Sequence, residues 1–297
     1  MASTATTAAQ AANGTAKWDA LVATPRRVFQ TSAATDQDVK PPFICDMLTA
    51  RDGRVLMGDI NNKMVKLLSP DNPSEVAYVQ LEGGIRRMAL LSGDAVAVNT
   101  DIKVIYLVNS NGGEFTVKGR FQTARQYIGM VQGPDDVTLV VGCWKDDDGP
   151  ARIDVIRHDG SVVRTVADES SIPGLKSPCQ LLQLGDRLII PDLLANCVYI
   201  LELSSGRLVE TVTHADIKKP TQVLVDGREN LYFVSHEGQC VLVRSPEGQW
   251  RHLLRGKEDG VNELTSPWAA CLIDTGIVVA WNNNFTTPFA VAGYTLE

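Results

Sequence analysis

The stretch ICDMLTARDGRVLMGDINNKMVKLL (residues 44–68) decides the fold. Residues 44–48 are an apolar run interrupted only by Asp46. Arg-Asp-Gly-Arg follows at 51–54, then the apolar run ValLeuMetGlyAsp at 55–59, a polar Asn-Asn-Lys turn, and a third apolar run at 64–68. Gly, Asn and Asp tolerate the positive φ of tight turns, so three short runs punctuated this way read as antiparallel hairpins.

The same grammar returns along the chain. GlnLeuLeuGlnLeu (180–184) leads through a Gly-Asp-Arg turn to LeuIleIleProAsp (188–192), and GlnValLeuVal (222–225) leads through 226–230 to LeuTyrPheValSer (231–235). Segments opening at Pro41, Gly84, Arg125, Ser177, Pro220 and Ser266 share it, at spacings of 41 to 52 residues. One such unit cannot bury both faces of its own sheet, and stacking neighbours is the remedy. A period of this size built from short strands predicts an all-β, six-bladed β-propeller over residues 17–297, one four-stranded blade per repeat.

The ring needs a closure. Repeat six runs out after its third strand, PheAlaValAlaGlyTyr (289–294), while LysTrpAspAlaLeuVal and ArgArgValPheGln within 17–31 belong to no repeat. One of these two is expected to pair with the 289–294 strand and complete blade six, because an open ring leaves ladder donors and acceptors unmet. Residues 1–16 are small and polar, with no charge before Lys17, and read as a disordered leader.

Composition narrows the function classes. Of 297 residues, 44% are hydrophobic and 21% charged, as in ordinary globular proteins. No apolar run approaches the length of a membrane span, and the first residues lack the basic start and apolar middle of a secretory signal. A formal charge of −7 with a pI near 5.2 argues against DNA or an anionic membrane as partner. The six cysteines form no Cys-x-x-Cys pair, which argues against zinc modules. Cys197 and Cys240 occupy one slot in successive repeats, and blade geometry holds such slots apart. Free thiols and a cytoplasmic location are therefore expected.

The 52–68 stretch, with its Asp-Gly-Arg turn, Asp59, Asn62 and Val65-Lys66, resembles the NHL repeat. It is similar in particular to the C-terminal propellers of tripartite-motif (TRIM) proteins, in which an Asp-x-x-Asn-x-x-Val-Lys line follows such a turn. Repeat one matches best, and repeats four (191–199) and five come next. The resemblance implies a non-catalytic recognition module that selects substrates in a ubiquitin-ligase setting. The ligase chemistry of that family lies in a RING domain, and the cysteine spacing here offers none.

Propellers bind most often on the face made by the B–C loops and D–A crossovers, where strands A to D run from channel to rim. Arg86, Arg87, Lys103 and Arg125 fall on adjacent crossovers and loops of that face, and so do Tyr127, Trp144, Trp268, Trp281 and Phe285. Aromatics beside arginines are the usual make-up of protein-binding hot spots, so a protein or peptide partner is the leading expectation. The competing use of these aromatics is as plugs between blades. A basic arc of Arg86, Arg87, Lys103 and Arg125 with Tyr127 would instead suit single-stranded RNA. A third reading is a metal-dependent lactonase or lyase, for which the inner strands offer Asp46, Gln180 and Gln222, with Met88, Gly129 and Ala269 completing the ring. That donor set is thin, so no enzyme activity, metal or cofactor is expected. LysAspAspAspGly (145–149) lacks the alternating acids and later Glu of a calcium loop and reads as a polar hairpin.

Overall fold

The computed structural model describes residues 25–110, 114–146, 149–256, 265–282 and 290–296, and among them there are strands and turns but no helix. Blade one is β2 (Ile44–Thr49), β3 (Val55–Asp59), β4 (Met64–Ser69) and β5 (Asn72–Gln80). Blade two is β6 (Ile85–Leu90), β7 (Ala95–Thr100), β8 (Val104–Asn109) and β9 (Thr116–Gln122). Blade three is β10 (Gly129–Gln132), β11 (Thr138–Cys143), β12 (Arg152–Arg157) and β13 (Val162–Asp168). Blade four is β14 (Leu182–Leu184), β15 (Arg187–Asp192), β16 (Cys197–Glu202) and β17 (Leu208–Val212). Blade five is β18 (Pro220–Val225), β19 (Leu231–Ser235), β20 (Cys240–Arg244) and β21 (Trp250–Arg255). Blade six takes β22 (Ser266–Ile273), β23 (Gly276–Asn282) and β24 (Ala290–Thr295), and its fourth strand is β1 (Arg26–Thr31).

The closure therefore uses the ArgArgValPheGln segment. β1 runs antiparallel to β24, with Gln30 opposite Ala292 and Phe29 opposite Gly293. A Cβ on Gly293 would stand 2.2 Å from the Phe29 ring, so the glycine is what lets that ring lie flat on the strand. Residues 17–22 and the 1–16 segment lie outside the described residues.

Side-chain alternation explains why the blades stack. In β3, Val55 and Met57 face blade six while Leu56 faces blade two, and all three are fully buried. β7, β11, β15, β19 and β23 behave alike: Val96 and Val98 against Ala97, Leu139 and Val141 against Val140, Leu188 and Ile190 against Ile189. Successive residues of a strand point to opposite faces, so a second strand that is apolar throughout serves two interfaces at once. Six apolar clusters result, one at each blade junction, and the cluster joining blades six and one also takes Ala33 and Phe29.

Polar residues at the ends of the second strands stitch each blade to the crossover beside it. Asp192 accepts the main-chain N–H groups of Lys176 (2.7 Å), Ser177 (3.0 Å), Leu194 (3.1 Å) and Ala195 (2.9 Å). Asp59 accepts those of Phe43 and Asn61 (both 3.1 Å), and Ser235 accepts that of Lys218 (2.9 Å). Lys66 is wholly buried and adds a tie to the 33–43 strap: its Nζ lies 2.8 Å from Asp59, 2.7 Å from Asp38 and 3.0 Å from the carbonyl of Ala33. Asp59 and Lys66, the residues behind the family resemblance, are thus structural ties.

Candidate functional site

The inner strands do not run straight into their blades. At the start of β2 the register slips between Ile44 and Asp46, leaving Cys45 as an extra residue. The same slip isolates Arg86 in β6, Thr221 in β18 and Trp268 in β22. Ile128, just before the Gly129–Gly142 pair, and Cys179, just after the Pro178–Asp192 bridge, hold the matching places in blades three and four. A β-bulge bends its strand and re-aims the extra side chain. Here six bulge positions converge at the channel mouth, and five of them, Cys45, Arg86, Ile128, Cys179 and Trp268, line one cavity of about 510 Å³.

Phe43, Ile60, Asn61, Trp144, Ser177, Leu193 and Arg87 complete the wall. Trp268 meets Phe43 edge-on at 5.5 Å and His236 at 4.7 Å, so its indole is held by rings on both sides. Trp144 is fixed by its Nε1–H, which donates to Asp146 at 3.1 Å. Burial pushes the Cys45 thiol up to about 12, against the pull of Arg87, and pushes Cys179 upward for the same reason. Both remain thiols, and the Cys45 hydrogen is directed at the carbonyls of Ile85 (3.0 Å) and Gly58 (3.2 Å).

One residue deeper along each inner strand lies a second ring: Asp46, Arg87, Gly129, Gln180, Gln222 and Ala269. Its side chains join blades to their neighbours and, in two cases, to blades beyond them. Gln180 donates to the carbonyls of Met88 (3.0 Å) and Met130 (3.1 Å), linking blade four to blades two and three. Gln222 donates to the carbonyl of Met47 (3.2 Å) and accepts from the N–H of Ala270 (2.9 Å), linking blade five to blades one and six. Asp46 accepts from the N–H of Met88 at 2.6 Å, and Arg87 donates to the carbonyl of Cys45. Burial raises the Asp46 carboxyl to about 6, with Arg87 and the Met88 N–H acting against it.

The sequence placed Met88 in this ring and Arg87 on the crossover. The bulge at Arg86 moves the register by one residue, so Arg87 enters the ring and Met88 turns into the junction of blades one and two. The proposed metal donors Asp46, Gln180 and Gln222 hold main-chain groups of other blades. Among the described residues, no group of three or more His, Cys, Asp or Glu side chains is placed to hold a metal ion.

The other candidates separate clearly. Arg86, Arg87, Trp144 and Trp268 meet at the cavity. Tyr127 is buried, donates its O–H to Asp154 at 3.2 Å and belongs to the junction of blades two and three. Trp281 is buried at the junction of blades five and six, edge-on to Tyr294 at 6.4 Å. Neither offers a face to a partner. Arg125 is buried, donating to the carbonyl of Pro150 (3.0 Å) and paired with Asp146 (3.2 Å). Lys103 sits in the β7–β8 turn at φ +60°, outside the cavity wall. The basic arc of four cations does not form. Phe285, Asp147 and Asp148 lie outside the described residues. All six cysteines are free and buried.

Phe43, Ile128, Ser177, Cys179 and Leu193 were not singled out from sequence. Part of their signal was positional: Phe43 and Ile128 stand one residue before an inner strand, and Cys179 stands beside the Pro178–Asp192 bridge.

No protein-family model matches the chain, and no curated protein matches it in sequence. Solved structures do match in fold. A nidogen/laminin complex is 19% identical with a TM-score of 0.57, covering 69% of this chain and 76% of that one. A streptogramin B lyase is 14% identical with a TM-score of 0.59, covering 91% and 88%. A catalytically inactive virginiamycin B lyase from Staphylococcus aureus, with quinupristin, is 15% identical with a TM-score of 0.58, covering 92% and 88%. At these identities the likeness is one of fold: this chain is a six-bladed β-propeller of a kind found in enzymes and in protein-binding assemblies alike.

Proposed function

We propose that this chain is a non-catalytic recognition module that receives a partner protein or peptide at the mouth of its channel. The observation behind this reading is the composition of the cavity. Two tryptophans and a phenylalanine stand beside Arg86, which has no acidic partner among the described residues. Trp and Arg in a desolvated pocket dominate binding energy at protein interfaces. The side-chain amides of Gln180 and Gln222 hold main-chain groups of other blades, which supports binding over catalysis. A fold neighbour that forms a complex with laminin or nidogen agrees with this use of the scaffold.

The finer setting follows the family resemblance: substrate selection for a TRIM-type ubiquitin ligase in the cytoplasm. RNA has less support, because Arg125 is held by Asp146 and Lys103 stands apart. The test is cross-linked capture from cell extract with the wild-type chain and with a Trp144→Ala/Trp268→Ala variant, both checked for matching melting temperatures. Partners held by the wild type should be lost from the variant. Capture of the same partners by both would overturn this choice of face.

A further inference from the structure

The cavity's lining reaches Cys45, Arg87 and Cys179, and the carbonyls of Met47, Met88 and Met130 are bonded to the two glutamines of the deeper ring. A segment passing across the face touches only the rim of such a pocket, whereas the end of a chain can enter it.

Arg86, Arg87 and Ser177 line that pocket, and no acidic side chain is among its lining residues. Arg86 makes no ion pair and no side-chain hydrogen bond among the described residues, and its Nε is buried without a partner. Arg87, with 6% of its surface exposed, donates to the carbonyls of Cys45 and Arg86, contacts the Cys179 thiol and interacts with the charge of Asp46, while its Nε is buried and unmet. Ser177, 1% exposed, likewise has a hydroxyl with no partner. Asp46 accepts from the N–H of Met88 and interacts electrostatically with Arg87, while its Oδ1 is buried without a hydrogen-bond partner; Arg86 has no acidic partner among the described residues. Native proteins rarely leave buried donors unmet, and a cluster of them calls for an explanation. A guanidinium pair with a hydroxyl matches a carboxylate, which accepts on two oxygens. The walls around it, Phe43, Ile128, Trp144 and Trp268, match an apolar side chain next to that carboxylate.

We propose that the cavity is a receptor for the C-terminal carboxylate of a partner polypeptide whose last side chain is apolar or aromatic, held by Arg86, Arg87 and Ser177. The proposal rests on the peptide-recognition reading above and names the feature of the partner that is recognised.

Three synthetic peptides test it by tryptophan emission and calorimetric titration: acetyl-Leu-Phe with a free C-terminus, its C-terminal amide, and acetyl-Phe-Asp amide, which carries its carboxylate on a side chain. The free acid should bind at least about tenfold more tightly than either amide, the scale of a charge-assisted hydrogen bond. Arg86→Gln should bring the acid down to the level of its amide with no change in melting temperature, and Arg86→Lys should restore part of the difference. Equal binding of acid and amide overturns the carboxylate while leaving peptide recognition standing. Equal binding of the Asp peptide and the free acid overturns the C-terminus as its source. Binding of none of the three overturns the inference, and the tryptophan capture experiment then decides separately whether this face binds a partner at all.

Discussion

Two rings of side chains sit one residue apart on the same inner strands, and the fold treats them in opposite ways. In the deeper ring, Gln180, Gln222 and Asp46 are bonded to main-chain groups of other blades. In the bulge ring above it, Arg86 has no ion pair among the described residues, and Cys45, Ile128, Cys179 and Trp268 surround open space. The backbone slot is almost the same, but the bulge turns one set toward the mouth and leaves the next in the ladder. Buried polar groups stabilise when fully satisfied and remain costly when not. The bonds of Gln180 and Gln222 make the lower ring a set of ties between blades, and the upper ring is the surface we propose for binding.

Substitutions in the lower ring should unfold the protein and substitutions in the upper ring should not. Gln222→Leu should have the largest effect. It leaves the Met47 carbonyl and Ala270 N–H unmet, at a combined cost of roughly 2–5 kcal/mol. A drop in melting temperature on the order of 10 °C in a thermal scan is expected; a drop within a degree of zero would mean the ring is not structural.

Asp46 should make the lower ring sensitive to pH. Its folded value of about 6 lies above the ordinary 3.8, so the folded state binds more protons than the unfolded state between those values. Its contribution is then fullest below pH 4, weakens as pH rises through 4 to 6 by about 3 kcal/mol, and is flat above. Asp46→Asn should remove that slope. Melting temperatures of both proteins across pH 4–7 check it, and parallel curves would contradict it.

Gly129→Ala comes third. An added Cβ would lie 2.1 Å from the carbonyl oxygen of Cys179, so blades three and four must part at the channel. A loss of about 1–3 kcal/mol by chemical denaturation is expected. Gly227→Ala, where nothing lies within 4 Å, is the matched control and should be close to neutral. Arg86→Gln should change least, within about 0.5 kcal/mol, because the side chain supports nothing around it. A clear loss of stability there would move Arg86 from the site to the scaffold.

Much of the scaffold was readable residue by residue. Turn chemistry at Asp52-Gly53 and Gly185-Asp186, with apolar runs on either side, located the hairpins. The unassigned 17–31 segment offered two candidates for the closing strand, because a ring with an open edge is unstable, and the structure uses ArgArgValPheGln. The site was only half readable. Of the residues chosen by type, Arg86, Trp144 and Trp268 line one cavity, yet Tyr127 and Trp281 have the same type and sit in blade junctions. Both fall at strand ends, where sequence alone does not reveal which face a side chain takes. Arg125 was read as exposed because the carboxylate that holds it, Asp146, is 21 residues away. The bulges left no local mark at all. One inserted residue exchanges Arg87 and Met88 between channel and core, and no hydrophobic pattern distinguishes the two registers across so short a run.

The sequence by itself determined the number of blades, the strand order within them and the means of closure, since all three follow from local periodicity and turn residues. Tertiary structure alone decided that five positions more than 200 residues apart at their extremes would line one cavity, and which arginine in it would stay unpaired. That decision comes from strand register around a closed ring, where each blade fixes its neighbour and a shift of one residue changes what faces the channel.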